Sequence, residues 1–244
     1  MTDIQPLGIA NYRRVVVLTG AGISVASGLP TYRGSGGLWD AESVEKYVTA
    51  RAVARDPAGV WEFFGKLRKA IAAAQPNPGH LALAAAERAL GPDGTVLVVT
   101  QNVDGLHGRA GSRDVVEYHG SAWRSRCTAC SYARVEADLG SLEEQVPACP
   151  QCGAPLRPDI VFFEEDIPVD AAWRVKMALR ECDLFLAVGT SGAVWPAADF
   201  VRSADYVGAR TVFVGPEPMA PHNPYFREQV LGRAEEVLPI LLGA

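Results

Sequence analysis

The chain has 244 residues, 48% of them apolar and 21% charged, with a formal net charge of −5 and a pI near 5.4. That length accommodates one large domain with a real core, or one domain carrying an inserted module. The acidic balance argues against non-specific nucleic-acid binding. No apolar run is long enough to span a bilayer, and the N-terminal MTDIQPLGIANYRR lacks the apolar core of a signal peptide, so a cytoplasmic protein without direct nucleic-acid or membrane contact is expected.

The first apolar run, VVVLT at 15–19, reads as a buried strand and leads into Gly20-Ala21-Gly22. Backbone N–H groups there can face a pyrophosphate at a helix N-terminus. A G-x-G-x-x-G fingerprint would need glycine at position 25, which is Val25, and an acid after a second strand, where Asp40 instead opens a helical block. The plain dinucleotide pattern therefore fits poorly, and a glycine-rich turn without a ligand stays open. Residues 40–74 read as helices, DAESVEKYVTARAVA and PAGVWEFFGKLRKAIAAA, with no strand between them, closed by QPNPG at 75–79.

A helix over 79–90 precedes a strand at 95–100, which runs into Gln101, Asn102, Asp104 and His107. Open α/β sheets bind ligands at such a strand end. An amide pair plus a carboxylate suits sugar hydroxyls and a carboxamide, and an Asn-x-Asp turn capping the next helix would use the same residues. A strand at 114–118 ends at His119-Gly120.

Residues 122–157 hold two Cys-x-x-Cys pairs, Cys127/Cys130 and Cys149/Cys152, with 18 residues between them. Large apolar residues are scarce there, so the segment needs a staple, and four thiolates at this spacing make a closed, structural zinc site. Four unrelated thiols remain the alternative; a zinc ribbon reading nucleic acid is disfavoured by the mixed local charge. A helix over 169–181, a strand over 183–190 ending in Gly189, Thr190 and Ser191, and a strand over 210–215 ending in Gly215 complete the pattern.

Continuous rather than alternating apolar strands, interleaved with helices, predict an α/β fold with a Rossmann-like, doubly wound parallel sheet. We expect a single catalytic domain: core over about 1–38, 76–121 and 158–244, helical insert over about 39–75, zinc module over about 122–157.

Taken in order, GAGIS, SGLPTYR, PNPGH, TQNVDGLH, YHG, the Cys pairs, RPDIV, GTSGAV and EVLP resemble the sirtuins, the NAD-dependent protein deacylases, across nearly the whole chain. The resemblance implies NAD as a consumed co-substrate and zinc as a structural ion. It places the pyrophosphate near Gly20, Ala21 and Gly22, with Ser24, Arg33, Gly189, Thr190 and Ser191 holding phosphates and riboses. It implies that Tyr32-Arg33 cover the nicotinamide ribose, that Gln101, Asn102 and Asp104 organise ribose and carboxamide, and that His119 is the general base. The acyl oxygen of an acyl-lysine protein attacks the anomeric carbon as nicotinamide leaves, and water finishes the reaction, giving lysine and O-acyl-ADP-ribose. A monomer or weak homo-oligomer is expected.

Three departures from the family pattern carry information. Relatives that remove succinyl or malonyl groups carry Tyr-x-x-Arg where this chain has Phe64 and Leu67, so the acyl pocket is expected to favour neutral groups, acetyl first, with longer aliphatic chains admissible. Arg68, one residue on, is turned too far around the helix to substitute. In the peptide-binding segment with Val161 and Phe163, the family's glycine is Glu164, which a left-handed backbone would strain or whose charge would favour basic flanking residues. Gly215-Pro216-Glu217 stands where an asparagine often contacts the adenosine ribose, so Glu217 is a candidate for its hydroxyls, and Ala234 for the adenine. The rival readings are a desuccinylase or demalonylase, a non-catalytic NAD or ADP-ribose-binding module, and an NAD glycohydrolase or mono-ADP-ribosyltransferase.

Overall fold

The computed structural model describes residues 4–31, 41–139 and 146–243. A six-stranded sheet forms from β1 (Arg14–Thr19), β2 (Thr95–Thr100), β3 (Val115–Glu117), β7 (Leu184–Val188), β8 (Arg210–Gly215) and β9 (Glu228–Leu231), in the order β3-β2-β1-β7-β8-β9. Every pairing is parallel. The four central strands β1, β2, β7 and β8 are apolar almost throughout because both faces are covered. Val15 and Val17 enter one core cluster with Val96, Val98, Leu184 and Leu186. Val16 and Leu18 enter the other with Leu97, Val99, Phe185 and Ala187. The period-2 alternation thus distributes each strand between two cores.

Helices α4 (Pro78–Ala89) and α8 (Ala234–Leu242) cover the first face; α6 (Val169–Glu181) and α7 (Phe200–Tyr206) cover the second. The start of α4 is fixed by Asn77, whose side chain accepts from Gly79 N at 2.9 Å, followed by Pro at the first helical position. Strand order reverses at β1, so the crevice at the carboxyl ends of β1, β2 and β7 is the switch point where such sheets bind ligands.

The stretch 41–73 forms three helices rather than the two expected: α1 (Ala41–Tyr47), α2 (Ala50–Arg55) and α3 (Pro57–Ala73). The break falls at Val48 and Thr49 because Val48 O accepts from Phe163 N at 2.9 Å and Ala50 N donates to Phe163 O at 3.1 Å. Thr49 then caps α2, accepting from Ala52 N. Tertiary pairing has overridden local helical preference.

A second, antiparallel sheet of β4 (Gly120–Cys127), β5 (Ala133–Val135) and β6 (Leu156–Ile160) carries the cysteine module. Its strands reach from 120 to 160, a little beyond the expected 122–157. Between β2 and β3 lies the one-turn helix α5 (Leu106–Arg109). No helix among the described residues is long and apolar enough to cross a membrane.

Candidate active site

A cavity of about 1260 Å³ opens at the carboxyl edge of the parallel sheet and continues beneath the helical insert. It gathers residues from distant parts of the sequence: Gly20, Ala21, Gly22 and Ser24 after β1; Gln101, Asn102 and Asp104 after β2; His119 after β3; Gly189, Thr190 and Ser191 after β7; Gly215 and Glu217 after β8. Phe64, Leu67, Val161 and Phe163 line its other end. Ala234 does not line it; it is buried in the first core at the start of α8, against the N-terminus of α4. Tyr32 and Arg33 lie outside the described residues.

Close approach shapes the end of the cavity at the sheet edge. Gly22 N donates to Gly189 O at 2.8 Å, and a Cβ on Gly22 would sit 2.7 Å from Gly189 Cα. Only glycine lets the two turns meet, which leaves a shallow cradle of backbone amides above the strand ends. Gln101 Nε2 donates to Thr190 Oγ1 at 3.1 Å, tying the β2 and β7 loops together across this cradle.

Below it lies a buried polar network. Ser24 Oγ donates to Asp104 Oδ2 at 2.7 Å, and Leu106 N donates to Asp104 Oδ1 at 2.9 Å. Asn102 Nδ2 donates to Gly20 O and to Ser24 Oγ, both at 3.1 Å. His80 Nδ1 accepts from Asn77 N at 3.4 Å, which assigns the proton to Nε2, 3.5 Å from Ser24 Oγ. His107 Nε2 meets Thr19 Oγ1 at 2.9 Å, and its ring lies 4.8 Å from that of His80. Burial lowers the pKa of His80 to about 4 and of His107 to about 3, so both rings are neutral. Burial raises the Asp104 pKa, opposed by the hydrogen bonds from Leu106 and Ser24. His80 was visible in PNPGH but carried no role in the sequence reading; a histidine in an apolar helix gives no sign of what its ring will meet.

His119 hydrogen-bonds through Nδ1 to Gln101 O at 3.2 Å, so Nδ1 carries the proton and Nε2 is the basic nitrogen. Burial lowers its pKa, partly offset by that carbonyl. The ring is neutral near pH 7 and fixed in orientation.

The far end of the cavity is apolar. Phe64 is fully buried, edge-on to Phe162 with ring centroids 5.4 Å apart, and Leu67, Leu29, Val48, Ile71 and Ile160 complete the walls. Arg68 does not line it. The segment 160–165 is held by Arg157, which pairs with Glu165, donates from Nη2 to Ile160 O at 2.7 Å and stacks on Phe162. Glu164 adopts φ 73°, the one left-handed non-glycine residue among the described residues. Its carboxylate pairs with Arg51 of α2 through both Nε and Nη2. The backbone here is the kind glycine favours, and the charge is matched by Arg51 rather than left free for a substrate.

The four cysteine Sγ atoms lie within 4.8 Å of one another. Cys127–Cys152 are 3.5 Å apart and Cys130–Cys149 3.6 Å, near the roughly 3.8 Å edge of a tetrahedron built on 2.3 Å zinc–sulfur bonds. Ala129 N points at Cys127 Sγ at 3.3 Å, a contact that favours a thiolate. The donor set fits a structural zinc ion.

The sequence model of the Sir2 family matches residues 20–196. An NAD-dependent protein deacylase 2 of Pyrobaculum aerophilum is 48% identical over 236 residues, covering 96% of this chain and 92% of that protein. The solved structure of a Sir2 homolog–NAD complex superposes with a TM-score of 0.88 at 36% identity, covering 96% of this chain and 90% of the other. Sir2Af2 bound to a myristoylated histone peptide superposes with a TM-score of 0.75 at 31% identity, covering 96% and 92%.

Proposed function

This chain belongs to the Sir2 family and is an NAD-dependent protein deacylase, and from that premise we propose that it removes neutral acyl groups, acetyl first, from lysine side chains. NAD is the co-substrate and zinc the structural ion. The observation that carries the acyl preference is the wall made by Phe64 and Leu67, which offers a bound acyl group no hydroxyl and no cation. A carboxylate entering such a pocket loses its hydration without a partner, whereas a methyl or methylene chain gains by burial. Longer aliphatic groups fit the same chemistry, in keeping with the myristoylated peptide held by Sir2Af2.

In this reading the glycine cradle at 20–22, with Gly189, Thr190, Ser191 and Gly215, takes the pyrophosphate and riboses. By the family resemblance, Tyr32 and Arg33, outside the described residues, serve the nicotinamide ribose. Asn102, with both amide protons engaged by Gly20 and Ser24, presents Oδ1 as an acceptor. The acyl carbonyl oxygen bonds to the anomeric carbon as the glycosidic C–N bond breaks and its electron pair leaves with nicotinamide. His119 Nε2 takes a ribose hydroxyl proton, and its lowered pKa keeps it unprotonated near pH 7. Glu217, exposed at the rim, is a ribose contact. The partner is an extended segment of an acylated protein lying along Val161 and Phe163; cytoplasmic residence and a monomer or weak homo-oligomer belong to the same proposal.

Nicotinamide release measured with and without an acetyl-lysine peptide tests it. Release that requires the peptide, and is lost in His119→Ala while NAD binding is retained, supports the reading. Peptide-independent release would make the protein a glycohydrolase, and binding without release a cofactor sensor.

A further inference from the structure

Helix α3 faces two neighbours at once. At about 100° per residue, Phe64, Leu67 and Ile71 share one stripe, and Trp61 and Arg68 share the adjacent one. The first stripe lines the cavity. The second docks on the cysteine module, where Trp61 packs with Cys127, Cys149 and Leu156 and its indole N–H donates to Leu156 O at 2.7 Å.

Arg68 is fully buried. Its guanidinium lies 4.8 Å from the Trp61 ring, and Nη2 donates to Arg124 O at 2.9 Å and Ser125 Oγ at 3.1 Å, three and two residues before Cys127. Ser125 donates onward to Glu136, which also accepts from Arg134 Nε at 3.0 Å. Nε and Nη1 of Arg68 meet no acceptor among the described residues. Burial lowers its pKa to about 10, opposed by Glu136, so the group remains charged at neutral pH.

A buried cation satisfied through one nitrogen is a poor stabiliser, and an apolar side chain of similar volume would serve stability better. What the arginine supplies is direction. Apolar contacts let a helix rotate and slide; two hydrogen bonds to consecutive residues of β4 fix both its rotation and its height. Four thiolates around a divalent ion also carry a net negative charge, which a buried cation on the facing helix complements.

We propose that α3 is a strut through which the metal module sets the acyl pocket, with Trp61 and Arg68 as positioning residues that hold Phe64, Leu67 and Ile71 in register. Intact docking is then a condition for selectivity among acyl lengths and not only for folding. The pocket half of this inference rests on the proposed assignment of the Phe64–Leu67 wall as the acyl pocket.

The test compares zinc-loaded wild type with Arg68→Met, Arg68→Lys and Trp61→Phe. Three quantities are read: zinc release to a chromophoric chelator, NAD affinity, and kcat and KM on acetyl- and octanoyl-lysine peptides. Arg68→Met is expected to release zinc about tenfold faster and to lose about tenfold in its octanoyl-over-acetyl kcat/KM ratio. NAD affinity should stay within about twofold, because the cradle is remote from the strut. Arg68→Lys should fall between, retaining the charge but not the fork. Should Arg68→Met fail to fold, Trp61→Phe and Arg68→Lys carry the same comparison. Faster zinc release with an unchanged acyl ratio would overturn the coupling, and unchanged zinc release would overturn the docking role. A wild type inactive on both peptides would overturn the proposed function and the pocket half with it, while zinc release would still report on docking.

Discussion

Installing the missing acyl-carboxylate receptor, Phe64→Tyr with Leu67→Arg, probes the acyl pocket most directly. Phe64 is fully buried and Leu67 is 7% exposed, so a succinyl carboxylate reaching them in the wild type sits in apolar surroundings. Leaving such a charge without a partner costs at least about 3 kcal/mol, and about 1.4 kcal/mol corresponds to a decade in kcat/KM. Acetyl-lysine peptides should therefore outrun succinyl ones by about 100-fold or more. A tyrosine hydroxyl and a guanidinium restore two charge-assisted bonds, each worth roughly 1.5–3 kcal/mol, so the double variant should close most of that gap. It will also lose acetyl activity, and its stability should fall by about 1–3 kcal/mol because the arginine is unpaired when no substrate is bound. Nicotinamide release on matched acetyl, butyryl and succinyl peptides gives the ratios, and urea unfolding gives the stability cost. A wild type that turns over succinyl peptides as fast as acetyl ones would refute the pocket reading. So would a folded double variant with no gain on succinyl.

The histidine pair should make the protein acid-sensitive. His80 and His107 have folded pKa values depressed to about 4 and about 3, so below the unfolded value of 6.5 the unfolded state binds more protons and stability falls as pH falls. At pH 5 the loss is roughly 2 kcal/mol for each ring; urea midpoints unchanged between pH 7 and pH 5 would contradict their burial as neutral groups. At Glu164, the left-handed backbone costs about 1 kcal/mol and the exposed Arg51 pair returns roughly 0–1 kcal/mol. Arg51→Ala should therefore destabilise the wild type measurably but cost nothing in a Glu164→Gly background, and an equal loss in both backgrounds would exclude the pairing. Asp104→Asn leaves one oxygen to accept from both Ser24 and Leu106, which now use separate oxygens. We expect about 1–3 kcal/mol lost in stability together with a fall in kcat, and a variant with native kcat would rule out the network's part in orienting Asn102.

Most of the parallel sheet is legible because its four central strands, β1, β2, β7 and β8, are buried on both faces, which forces continuous runs such as VVVLT and TVLVVT. β9 was missed for the converse reason: Glu228–Leu231 is a short edge strand that is nowhere fully buried. The strands of the cysteine module were equally silent, since their packing comes from thiols and from Trp61 of a remote helix. The residues at the sheet-edge end of the cavity sit directly after strands, and topology alone brings strand ends together, so their gathering could be anticipated from the pattern. The break at Val48 and Thr49 could not, because it depends on Phe163, more than a hundred residues away. Ala234, two residues ahead of EVLP, is buried in the first core at the head of α8, a packing position that the motif itself does not reveal.

The polar network explains why the opening glycine stretch departs from an ordinary dinucleotide turn. Ser24 Oγ has one proton, and the 2.7 Å contact commits it to Asp104. Its remaining acceptor capacity takes Asn102 Nδ2 at 3.1 Å and the proton on His80 Nε2. Asn102 spends its second N–H on Gly20 O, so the amide cannot flip without leaving a carbonyl facing a carbonyl. A turn that only grips a pyrophosphate needs backbone N–H groups and nothing beneath them. Here the same turn carries a serine at its fifth position, and that serine fixes the direction of an amide belonging to another strand end. The orientation survives burial because His80, beside Ser24, and His107, packed against His80, stay neutral and bring no competing charge. The sequence GAGIS therefore does two jobs with one backbone: its glycines let the turns after β1 and β7 meet closely, and its serine fixes which hydrogen-bonding face Asn102 turns to the cavity.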